Sequence, residues 1–199
     1  MPVDAPLNPQ IPRPEPSAPE VPALPVRALA GAMVALILVT IALRSFVVES
    51  CPVQGPSMEP TLNEGERVLV WKLPTVFGFG SLHSGDLVVF NRPEEGGRRY
   101  VKRVIAAGPA GETDAPTSVV FEKGRVFVNN QLLDEPYLTP EERDSPLDFQ
   151  ATLTEGQYFV LGDHRSVSKD SLRFGPIAEN QVIGKAFLRI WPLGKAGLL

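Results

Sequence analysis

Residues 28–43 read Ala-Leu-Ala-Gly-Ala-Met-Val-Ala-Leu-Ile-Leu-Val-Thr-Ile-Ala-Leu, sixteen positions without a charge, bracketed by Arg27 and Arg44. As a helix this run rises about 24 Å, against a bilayer hydrocarbon core of about 30 Å. Phe46-Val47-Val48 extend the apolar surface, and the Arg44 stem is long enough to carry its charge to the interface. A helix apolar on every side has no face to turn to water, which argues against a core helix. A cleaved leader needs a basic start and small residues at its cut site. Here Arg13 and Arg27 are set against Asp4, Glu15 and Glu20, no Ala-x-Ala follows, and Glu49 spoils Val48-Glu49-Ser50-Cys51 as a lipoprotein box. The run is therefore expected to be a single membrane anchor over residues 26–48.

Prolines at 2, 6, 9, 12, 14, 16, 19, 22 and 25 precede it. Proline lacks the backbone N–H that helices and ladders need, so residues 1–25 are expected to be a disordered or semi-rigid tail. Beyond residue 48 the pattern becomes short β-like runs separated by Gly and Pro: 67–71, 86–90, 100–105, 118–121, 125–128, 157–161 and 182–190. Glu122-Lys123-Gly124 has the chemistry of a hairpin turn. The expected fold is an all-β domain of antiparallel sheets, partly barrel-like, over residues 49–199. Residues 106–150, richer in Pro, Asp and Glu, are expected to form a smaller inserted β subdomain.

The net charge of −4 leaves no basic footprint for nucleic acid. Cys51 is the one cysteine, so no disulfide forms within a chain. His83, His164 and Cys51 are too few for a zinc site of soft ligands.

Ser57 lies in Gly55-Pro56-Ser57-Met58-Glu59-Pro60-Thr61, shortly after the apolar run. A turn serine usually bonds its own backbone. As a nucleophile it needs a base, a group that orients that base, and oxyanion donors. His164, in Gly162-Asp163-His164-Arg165, is one candidate base, although Asp163 and His164 point to opposite sides of an extended chain. Lys102 is the other. In a strand it shares a face with Tyr100 and Val104; on an edge strand such a lysine faces solvent, whereas if buried among apolar groups its ammonium is disfavoured and an amine able to take a proton results. Arg103, permanently charged, cannot do this. Ser166-Val167-Ser168-Lys169 also matches Ser-x-x-Lys, and Lys195-Ala196-Gly197 follows, but the Ser-Asp-Asn element that accompanies them in β-lactamases is missing.

Four segments together resemble signal peptidase I, a family of membrane-bound serine peptidases with a Ser/Lys dyad. They are Gly55–Leu62, Gly85–Phe90, Tyr100–Ile105 and Gly162–Ser171, in order and with matching spacing. The resemblance implies Ser57 as nucleophile and Lys102 as general base. It implies that Ser168 hydrogen-bonds the lysine amine, that Asp170 is a structural carboxylate paired with Arg173 or Arg103, and that Met58 packs beside the nucleophile. Gly55 stands where some members carry an oxyanion-stabilising hydroxyl, which leaves more of that task to the Ser57 backbone N–H. His164 replaces a usual Asn. The resemblance further implies secretory preproteins as substrates, cleavage after small residues, and neither metal nor cofactor. The expected setting is a monomer in the cell membrane, its tail cytoplasmic and its catalytic domain extracytoplasmic.

Overall fold

The structure, a computed structural model, describes residues 26–42, 47–72, 82–111, 114–143 and 148–199. The proline-rich tail lies outside them. Helix α1 (Val26–Ala42) covers most of the apolar run, and its 17 residues rise about 25 Å. Leu29, Met33, Leu36 and Ile37 are exposed on it. No helix among the described residues is long and apolar enough to cross a membrane. Val48, expected at the anchor's end, instead opens strand β1 (Val48–Pro52), because its backbone pairs with β2 (Arg67–Trp71) at Trp71.

The rest is mostly antiparallel β. The main sheet uses β1, β2, β3 (Leu87–Arg92), β4 (Arg98–Ala107), β9 (Gln157–Leu161), β10 (Ile177–Ala178) and β11 (Val182–Trp191), in the order β1-β2-β11-β3-β4-β9-β10. The two-residue β12 (Gly197–Leu198) folds back on β11. The path is open, with β1 and β10 at its ends, so the expected barrel-like closure is not made by strand pairing among the described residues. A second sheet, β7-β6-β5-β8, is built from β5 (Thr117–Glu122), β6 (Arg125–Val128), β7 (Gln131–Leu132) and β8 (Phe149–Leu153). It occupies the expected insertion, with its last strand running to Leu153. Lys123 and Gly124, both with positive φ, make the β5–β6 turn.

The apolar patterning explains which strands are central. β2 alternates, burying Val68 and Val70. β3 buries Leu87, Val88, Val89 and Phe90 in succession, and β9 buries Tyr158 to Leu161, as strands covered on both faces do. One core packs Met58 and Leu62 against Cys51, Val53, Val68, Val70, Leu87 and Val89. A second gathers Val88, Phe90, Val104 and Val160. A third joins the two sheets, with Ile105, Phe159 and Leu161 from the main sheet meeting Val119, Phe121, Val126 and Leu153 from the insertion.

Phe159 is fully buried in that junction, with its ring 5.6 Å from that of Phe149. Phe159→Ala removes a large side chain that both sheets share, and is expected to destabilise the β domain by about 3–5 kcal/mol in denaturant titrations.

Candidate active site

Antiparallel pairing sets Lys102 opposite Val88 and Arg103 opposite both Leu87 and Leu161. The two cations therefore face opposite sides of β4. Lys102 is 1% exposed, among the largest fully buried side chains. It has no salt-bridge partner among the described residues. Burial pushes its pKa down from 10.5 to about 8, and the nearby Asp170 and Asp163 carboxylates only partly oppose that shift. Desolvation of an ammonium outweighs attraction here because both carboxylates are already occupied.

Asp163 is fully buried. It accepts from Arg103 Nε at 2.9 Å and Nη2 at 2.6 Å, and from the Thr61 hydroxyl. Register brings this about: Arg103 pairs with Leu161, and Asp163 lies two residues further on. The Arg103 guanidinium also donates to the Gly85 carbonyl at 2.9 Å and stacks on Tyr137. Asp170 accepts from the Gly162 N–H at 2.9 Å and from the Leu172 N–H at 3.2 Å, capping the short helix α2 (Ser171–Phe174). The arginine partner expected for Asp170 is thus corrected. Among the described residues neither Arg173 nor Arg103 pairs with it: each of its oxygens accepts a backbone N–H, and Asp163 takes Arg103.

Ser57 sits half-buried in the turn after β1. Its neighbour Met58 is locked in the first core, and the Leu62 N–H closes onto the Met58 carbonyl at 2.8 Å. Ser57, Lys102, Met58 and Gly55 line one groove of about 820 Å³, walled by Cys51, Val53, Tyr100 and Val101. Gly55 has φ +76°, a conformation that disfavours any side chain there.

Ser168 is buried beside this groove. The bond expected between its hydroxyl and the lysine amine is not formed, and Ser168 Oγ has no hydrogen-bond partner among the described residues. It lies instead against Gly162, where an added Cβ would fall 2.2 Å from Ser168 Oγ and 2.4 Å from the Ser57 carbonyl oxygen. Gly162 therefore lets the serine turn and the 163–170 loop close on each other. Sequence reasoning missed this role, as it missed Asp163 as the partner of Arg103. The adjacent Gly162-Asp163 pair was the available signal.

The competing arrangements are not assembled among the described residues. Asp163 is bound to Arg103 rather than to the His164 ring, and that ring contacts the Pro56 carbonyl. Ser166 bonds Glu142 while Lys169 bonds Glu95, so the Ser-x-x-Lys match is split between two partners. Lys195 meets the buried Glu66.

The model of the family described as "Signal peptidase, peptidase S26" matches residues 26–191. Signal peptidase IB of Staphylococcus aureus is 35% identical over 168 residues, covering 75% of this chain and 81% of that protein. A probable signal peptidase I-2 of a Synechocystis strain is 32% identical over 178 residues, covering 86% and 76%. A signal peptidase I structure from Enterococcus faecalis V583 shares 30% identity over 53% of this chain and 97% of that one. Its TM-score of 0.44 is too low to bear on the fold. These matches first define the class: the protein is a peptidase. Within that class the chain belongs to the signal peptidase family, peptidase S26.

Arg103→Ala leaves the fully buried Asp163 without its counter-ion and is expected to cost about 3–5 kcal/mol in urea unfolding. Gly162→Ala should act more locally. It pushes the Ser57 turn away from Ser168, so peptidase activity should fall further than the melting temperature.

Proposed function

We propose that this protein is a membrane-anchored serine endopeptidase that removes signal peptides from secretory preproteins through a Ser57/Lys102 dyad. One observation carries the reading: a lysine buried with no counter-ion among the described residues lines the same groove as a half-exposed serine. A neutral Lys102 Nζ takes the Ser57 hydroxyl proton as Oγ attacks the scissile carbonyl. The resulting ammonium returns the proton to the leaving amine, whose departure leaves an ester on Ser57. Lys102 then deprotonates water, which attacks the ester and frees the second product. With no hydroxyl at Gly55, the Ser57 backbone N–H is assigned to the oxyanion.

The groove walls of Cys51, Val53, Met58 and Val101 suit small apolar substrate side chains, in keeping with cleavage after an Ala-x-Ala pattern. The charge-free α1, with the residues that follow it, is proposed as the anchor, with the tail cytoplasmic and residues 50–199 on the far side. That address puts the serine where preproteins emerge. Removing residues 1–47 should move the protein out of the membrane fraction, and protease added outside sealed cells should reach the β domain of the full chain.

Detergent-solubilised enzyme should cut a preprotein, and Ser57→Ala and Lys102→Ala should each lose at least a thousandfold in kcat. Retention of full activity by both would mean a non-catalytic module. Because the neutral amine is the base, kcat/KM should climb with pH through about 8. A flat profile from pH 6 to 10 would contradict a lysine base.

Stability should follow the same group. The folded-state pKa of Lys102 lies below the unfolded value, so the folded state binds fewer protons between about 8 and 10.5. The destabilisation, about 3 kcal/mol, is therefore complete below pH 8 and fades as pH rises through that window. Lys102→Met should abolish activity and raise the melting temperature at pH 7.

A further inference from the structure

We propose that His164 is a positioning residue that aims the Ser57 backbone N–H by holding the Pro56–Ser57 peptide plane. The proposal rests on Ser57 being the nucleophile. Two hydrogen bonds of one residue carry it. The His164 N–H donates to the Ser57 carbonyl at 3.2 Å. Its Nδ1 lies 3.2 Å from the Pro56 carbonyl oxygen, which only accepts, so Nδ1 carries the proton. Its Nε2 faces Glu142 Oε1 at 3.4 Å, in the 3₁₀ turn Glu141–Arg143 between β7 and β8. The other Glu142 oxygen accepts the Ser166 N–H at 3.1 Å, which fixes that carboxylate from the far side. Glu59 is the remaining acid near the ring, with Oε2 3.9 Å from Nδ1.

The geometry matters because a peptide group is planar. The carbonyl of Pro56 and the N–H of Ser57 belong to one rigid unit and point in opposite directions. Fixing that oxygen therefore fixes the direction of the donor assigned to the oxyanion. A hydrogen bond accepted by the carbonyl also polarises the amide and strengthens its N–H as a donor. The next carbonyl, that of Ser57, is held by the same residue's backbone, so both ends of the serine unit are pinned. Gly55 supplies no side-chain donor, and a side chain there is disfavoured by its positive φ. His164 strengthens the backbone donor instead.

The test uses the detergent-solubilised full chain with a preprotein substrate. His164→Ala should lower kcat roughly tenfold with KM within twofold, since the oxyanion exists only in the transition state. The rise of activity through about pH 8 should stay in place, because it belongs to Lys102. His164→Asn keeps an N–H donor at the position of Nδ1 but cannot reach Glu142, and should recover kcat to within about threefold of the parent. Melting temperatures report whether each variant is folded. Where the alanine variant does not fold, the asparagine variant decides: near-parental kcat supports the proposal and a tenfold loss overturns it. It is also overturned if His164→Ala keeps kcat within twofold, if the loss appears in KM alone, or if asparagine gives no recovery. Ser57→Ala separates the two failures. Full activity in that variant removes the nucleophile reading and this one with it. An inactive Ser57→Ala beside a fully active His164→Ala removes only the role of His164.

Discussion

A buried amine that no carboxylate among the described residues claims is the constraint around which the candidate site is organised. Two acids stand near Lys102, and either one in direct contact would hold it charged. Each is instead committed elsewhere: Asp163 to Arg103 and Thr61, Asp170 to the amides of Gly162 and Leu172. The supporting residues act largely by what they keep away from the lysine. Arg103 is next to Lys102 in the chain yet serves the opposite face of the strand, so one dipeptide places the amine and engages one of the two acids near it.

The serine is held by different physics. Met58 and Leu62 are sunk in the core, so the turn hangs from apolar packing on one side. On the other it is met by Gly162 and His164, whose backbone and ring contact the two carbonyls around Ser57. Packing fixes where the turn lies, and hydrogen bonds fix how its peptide planes are tilted.

Much of this was legible beforehand, for identifiable reasons. Strands such as β2, β6 and β9 announced themselves because β-branched and aromatic residues run between turn residues, and 67–71, 125–128 and 157–161 match their observed limits. β1 was hidden by the polar Glu49 and Ser50 and by Pro52, which lacks an N–H, and β8 by the polar Gln150 and Thr152, on strands that bury little. The two-residue β7, β10 and β12 are too short to carry a period. At the site, Ser57 and Lys102 could be paired from motif order, and the structure brings them to one groove. The partner of Arg103 could not, since it depends on a register between strands almost sixty residues apart. The capping role of Asp170 was missed because a carboxylate near arginines invites an ion pair, whereas backbone amides leave no trace in a sequence.

Strand β11 is the last long strand in the chain, yet it lies between β2 and β3 in the middle of the main sheet. During synthesis β2 and β3 are made early but have no direct ladder to each other, and the seam between them stays open until Val182–Trp191 has been translated. Contacts that join distant parts of a chain form late because loop closure must come first. The groove between β1 and β4 spans that seam. Assembly of the serine and the lysine into one site therefore waits for β11 to join the two halves of the main sheet.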